Sequence, residues 1–175
     1  MKNLKFLVIL SLAITVFSCK KTEEAVVEIV NSDLIGTWKM DAVTGTATGN
    51  ATDVNGTMSP FTGVLTGRDI TSTVTFTAAN VTTTGTFGMD LVVTVTNGGG
   101  MVTFPYNDNK FVDVDGTWTR VGTVLTVVDG PDTTIYTATI NGNSMTLASS
   151  GPLALMDANA TGTGTLNATA TFTKQ

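Results

Sequence analysis

Nucleophiles, general bases and metal ligands are scarce in these 175 residues, and the gaps decide more than the groups present. There is no histidine, which removes Ser-His-Asp and Cys-His nucleophile systems, imidazole general acid–base catalysis and most zinc or iron sites. The single thiol is Cys19, and all three glutamates (Glu23, Glu24 and Glu28) lie close behind it. Any acid pair of the kind that cleaves glycosides must therefore come from aspartates. Asp113 and Asp115 are two residues apart, so on a strand they share one face, opposite the face that carries Trp118. That places them on a solvated edge rather than in a pocket. Oxygen-bearing side chains crowd at Asn107-Asp108-Asn109 and Asp113–Asp115, but the EF-hand spacing is absent and no bidentate glutamate follows. Gly98-Gly99-Gly100 precedes no helical pattern and so is no phosphate cradle. The expectation is a non-enzyme with no metal and no cofactor.

Cys19 is the one residue whose surroundings define a chemistry. Lys2 and Lys5 precede an apolar-leaning run from Phe6 to Phe17. Basic residues ahead of such a run are the layout of a secretory leader, and the run falls short of the roughly 20 apolar residues needed to span a bilayer. It ends in Val16-Phe17-Ser18-Cys19, which resembles a lipobox, the cleavage and lipidation site of bacterial lipoproteins. On this reading residues 1–18 are a signal peptide, and 19–33 are the lipidated N-terminus and tether. Residues 34–175 then form one domain without a disulfide. Losing Lys2 and Lys5 with the leader makes the net charge of −5 more acidic still, which disfavours nucleic acid. The expected membrane attachment is the lipid on Cys19.

About a fifth of the chain is threonine, a β-branched polar residue suited to the solvated face of a strand. Beyond Asp33 apolar residues alternate with it at the two-residue period of half-buried strands. The inward sets are Val74, Phe76 and Ala78; Met89, Leu91, Val93 and Val95; and Val112, Val114, Gly116 and Trp118. They continue with Leu125 and Val127; Tyr136, Ala138 and Ile140; Met145 and Leu147; and Leu166, Ala168, Ala170 and Phe172. Turn signals stand between them at Ala79-Asn80, Asn97–Gly100, Asn107–Asn109, Asp129–Asp132 and Ile140–Asn143. The Asn-Gly signals predict tight hairpins of type I′. No long helical period follows Asp33, so parallel crossovers have no helices to run through. Thr44–Thr57 and Asn159–Thr165 are almost free of large side chains and read as strand extensions or long loops at one end of the fold.

The strand Leu34-Ile35-Gly36-Thr37-Trp38 resembles the opening strand of lipocalins, and its Leu-x-Gly-Thr-Trp form is similar to the lipocalin-like lipoproteins of Bacteroidota. Gly116-Thr117-Trp118, the strand after Gly122, the Tyr136 strand, Met145-Thr146-Leu147 and the terminal Ala170–Lys174 follow in the same order. The resemblance implies an antiparallel up-and-down β-barrel of about eight strands, closed by its first and last strands. A two-sheet sandwich also fits the strand count, but sequential hairpins favour the barrel. Pro131 departs from the lipocalin pattern ahead of Asp132–Tyr136, and neither Arg68 nor Arg120 lies in the last strand, where lipocalins carry an arginine over the first tryptophan. Lys174 is the cation available for that place. Lys20-Lys21-Thr22-Glu23-Glu24 loosely resembles the surface-export signals of the same lipoproteins. The implied location is the cell envelope, lipid-anchored to the outer membrane on its periplasmic or outer face. The implied function is non-catalytic binding of a small apolar or amphipathic ligand by a monomer, with Phe76, Phe87, Met89, Tyr136 and Phe172 as candidate cavity lining. The alternative is a filled barrel presenting loops to an envelope partner or polysaccharide.

Overall fold

A computed structural model of the chain describes residues 33–53, 55–96, 100–112, 115–157 and 160–175. The leader, Cys19, most of the tether, residues 97–99 of the Asn-Gly-Gly-Gly turn signal, Asp113, Val114 and Asn159 lie outside the described residues. Within the described residues eleven antiparallel strands form one sheet. They are β1 (Gly36–Asp53), β2 (Met58–Arg68), β3 (Thr73–Phe76), β4 (Asn80–Thr84), β5 (Phe87–Val95), β6 (Met101–Asn109), β7 (Asp115–Val121), β8 (Val124–Asp129), β9 (Asp132–Asn141), β10 (Ser144–Asp157) and β11 (Ala160–Lys174). Strands β1, β3, β4, β7, β8, β9, β10 and β11 pair in that order, and β11 returns to β1 from Trp38↔Lys174 onward. The expected all-β barrel of eight antiparallel strands, closed first to last, is what forms.

The other three strands belong to an extension of the same sheet. At its base β1 pairs with β3, from Gly36↔Phe76 to Lys39↔Thr73; from Thr44↔Thr66 to Thr52↔Met58 it pairs with β2 instead. The exchange occurs beside a bulge between Met40 and Ala42, a device that bends and twists the strand carrying it. Likewise β10 keeps β9 only as far as Ala148↔Thr137 and then continues with β11 alone. The segments poor in large side chains are therefore strand extensions, and the upper halves of β10, β11 and β1 join β2, β5 and β6 in a six-stranded curl. Small inner-face residues on the central strands let this curl tighten. Phe61 lies across two of them: a Cβ on Gly49 would stand 2.8 Å from its Cε1, and one on Gly164 3.0 Å from its Cζ. Leu65, Leu91, Val93 and Leu155 are buried around that ring, in one core continuous with the barrel. Outside, Arg68 ties three strands together through Asp90 Oδ1 (3.1 Å) and Asn107 Oδ1 (2.7 Å). Its hydrogen bonds to Asp69 and Asp90 raise its pKa further.

Three local expectations are corrected. At the Asn141-Gly142 signal Gly142 opens a two-residue turn at φ 58° but Asn143 has no positive φ, and Gly122 and Gly130 open turns of the same form. One glycine at the first central position belongs to type II′ rather than type I′. Asn107–Asn109 is not a turn but the end of β6, where Asp108 at φ 54° accompanies a register shift against β5. Ala78 is exposed because β3 ends at Phe76.

An open extension leaves two free edges, β6 and the upper half of β10. Asn143 O accepts from Lys174 N at 2.9 Å, so alternation along β10 points odd-numbered residues at β11 and even-numbered ones at the free edge. Pro152 is even-numbered. The bond from Thr96 N to Pro60 O fixes the same alternation for β5, and through the pairing Leu91↔Phe104 it turns Pro105 outward on β6. Each free edge thus lacks an N–H near its middle, which blunts pairing with another chain. Pro152→Thr should restore that donor and produce concentration-dependent association in sedimentation velocity; a variant that stays monomeric over the same range would show that the proline does not guard the edge.

Candidate functional site

Side chains from every barrel strand meet at its axis. Trp38, Met40, Val74, Phe76, Val81, Thr83, Trp118, Leu125, Val127, Tyr136, Ala138, Met145, Leu147, Ala170 and Phe172 are all at most 7% exposed. Their indole groups are satisfied as well as packed. Trp38 Nε1 donates to Leu34 O at 2.8 Å, and Trp118 Nε1 donates to Thr77 O at 3.0 Å. Phe76 meets Trp118 edge to face with ring centroids 5.5 Å apart, a favourable aromatic geometry.

Both ends of this interior are covered. At the base Asp33 and Leu34 run beneath the barrel, and Leu34 is fully buried. Arg120, on the same strand face as Trp118, reaches Asp33 with Nη1 2.9 Å from each carboxylate oxygen. Lys174 Nζ lies 5.1 Å from the Trp38 ring centroid and donates to Asp33 O at 3.2 Å. The last strand therefore does supply the cation over the first tryptophan, as a lysine. Gly36 makes room for it: its φ is +136°, and a Cβ there would stand 2.8 Å from Lys174 Cε. At the mouth Phe111 and Val112, which follow β6, lie over the barrel. Tyr136 Oη donates to Phe111 O at 2.9 Å, Thr83 Oγ1 donates to Val112 O at 2.5 Å, and Val112 is fully buried.

The five candidate lining residues divide between two regions. Phe76, Tyr136 and Phe172 are packed inside the barrel, whereas Phe87 and Met89 lie on β5, outside the barrel strands. Phe87 is buried and Met89 half-buried against the common core. Asp115 is exposed at the start of β7. Tyr106, on the half-buried inner face of β6, has its hydroxyl pKa raised by burial.

The concave features described lie at a fork in the sheet and at its far tip. One groove of about 400 Å³ follows the fork where β9 and β10 part, between Ile135–Thr137 and Ala148–Ser150. A second, of about 300 Å³, lies at the far tip of the extension, where Thr52, Thr161 and Thr163 stand between Met58 and Met156. Met58, Met101 and Met156 are 67%, 71% and 83% exposed, one beside each of the three hairpin tips at that end. Sequence reasoning missed this group because it depends on knowing that three distant hairpins end together. No protein-family model, curated protein or solved structure matches the chain.

Among the described residues the extension has no second layer beneath it, so its integrity rests on the Phe61 ring. Phe61→Ala should destabilise the domain by about 3–5 kcal/mol, the usual cost of deleting a buried aromatic side chain. Urea denaturation checks this, and a loss under about 1 kcal/mol would mean that the two glycine strands hold together without the ring.

Proposed function

We propose that the chain is a lipid-anchored, non-catalytic envelope lipoprotein whose filled, lipocalin-like barrel is a pedestal for the extension, and that the extension tips engage an envelope partner. The observation that carries this reading is the polarity of β1. The strand starts at the covered base, where the tether joins through Asp33, and runs 18 residues to the tips. At about 3.3 Å per residue the strand runs roughly 60 Å along its own path. Anchor and tips then occupy opposite ends of one continuous sheet. Exposed methionines suit the tips to contact, since the flexible, polarizable thioether adapts to varied surfaces.

The sequence also admits a carrier of a small apolar molecule. Dense side-chain packing at the barrel axis, with cover at base and mouth, supports the pedestal more than the carrier, because ligand pockets need open, concave space. Mass spectrometry of a solvent extract from protein purified out of membranes separates the two. The pedestal reading expects no apolar molecule approaching one per chain; a single species at that stoichiometry would return the function to ligand carriage.

A further inference from the structure

We propose that the base of the barrel rests on the lipid surface, with the turn between β7 and β8 entering the headgroup layer. This rests on the reading that Cys19 carries the anchor, and it adds which face of the domain the anchor presents to the membrane. The described chain begins at Asp33, and Asp33 is held by Arg120 at 2.9 Å. The next residue after Arg120 is Val121, which opens the turn Val121-Gly122-Thr123-Val124. The segment leading back to Cys19 therefore leaves the domain beside this turn. Val121 is 67% exposed and Val124 46%, two β-branched apolar side chains at a hairpin tip where polar residues are usual. Ile35, close to Asp33 in the chain, is 39% exposed.

Charge favours the same end. Lys39, Arg120 and Lys174 stand in the lowest rows of the barrel, where they offset Asp33 and Asp41, while Asp53 and Asp157 lie at the opposite tips. In a chain with a net charge of −5, this is the end that an anionic lipid surface repels least. Tether length restricts the alternatives. Whatever its conformation, the segment from Cys19 to Asp33 spans at most about 50 Å, so the base stands no farther than that from the lipid. A short tether also keeps the base at high local concentration near the bilayer, so a small apolar contact is enough to orient it.

The test uses the full, lipidated chain, in which acylation leaves no other thiol. Val121→Cys and Met156→Cys, both at exposed positions, are labelled with a polarity-sensitive maleimide dye and reconstituted on vesicles of phosphatidylethanolamine and phosphatidylglycerol. The expected result is a blue shift of the dye at position 121 on vesicles and none at position 156. The labelled Val121→Cys chain that also carries Cys19→Ser should float free with its dye in water. If the protein floats with the vesicles while position 121 still reports water, or if position 156 shifts instead, the docking face is wrong and the anchor stands. If the lipid-competent chain does not float with vesicles at all, both the docking and the anchor are overturned.

Discussion

The pairing of β1 with β11 is the constraint on which the rest of the molecule depends. It runs from Trp38↔Lys174 to Asp53↔Ala160 and does two jobs along one seam. Its lower part closes the barrel and so removes the edges that a sheet rich in threonine and poor in charge would otherwise expose. Its upper part is the spine of the extension, to which β10 adds on one side and β2 on the other. Because both halves share the same two strands and one continuous core, the barrel and the extension form a single body rather than two joined domains.

The base of that seam is also where the chemistry of the domain is most specific. Trp38, Lys174, Asp33 and Arg120 form a connected set in which each polar group has a partner and the indole is covered on its open face. A cation over an indole face is worth on the order of 0.5–2 kcal/mol. The larger effect here is to fix where the preceding segment leaves the barrel. The far end of the fold has the opposite character: hairpin tips, exposed methionines, the exposed Asp53 and a groove with a threonine floor. The described chain therefore has two well-separated ends of different character.

The barrel was legible in the sequence because its inward residues are large. Val74 with Phe76, Leu125 with Val127, and Met145 with Leu147 show a period of two that nothing else imitates, and all six are buried. The extension was hard to read because the glycines and alanines that let it curl leave no apolar contrast against the threonines between them. Phe61 in isolation is one aromatic residue in a polar stretch. Only the pairings Gly49↔Phe61 and Gly49↔Gly164 reveal what its ring covers. The forks at β1 and β10 were hidden for a related reason: a strand that changes partners keeps its alternation, so the change leaves no trace in the pattern. The candidate lining residues show the same limit, since Phe76 and Phe87 look alike in sequence yet lie on strands of different regions. The turn glycines were visible, but their type depended on the φ of the following residue.

Native-state hydrogen exchange along β1 and β11 tests the central claim most directly, because it reports the opening free energy of each amide separately. If one seam holds barrel and extension together, inward-bonded amides in the barrel rows, from Trp38 to Val43, and in the extension rows, from Gly45 to Ala51, exchange with the same free energy, that of global unfolding. Exchange of the extension rows by a separate, lower-energy opening, with the barrel rows still protected, would contradict the account and make the extension an independent unit.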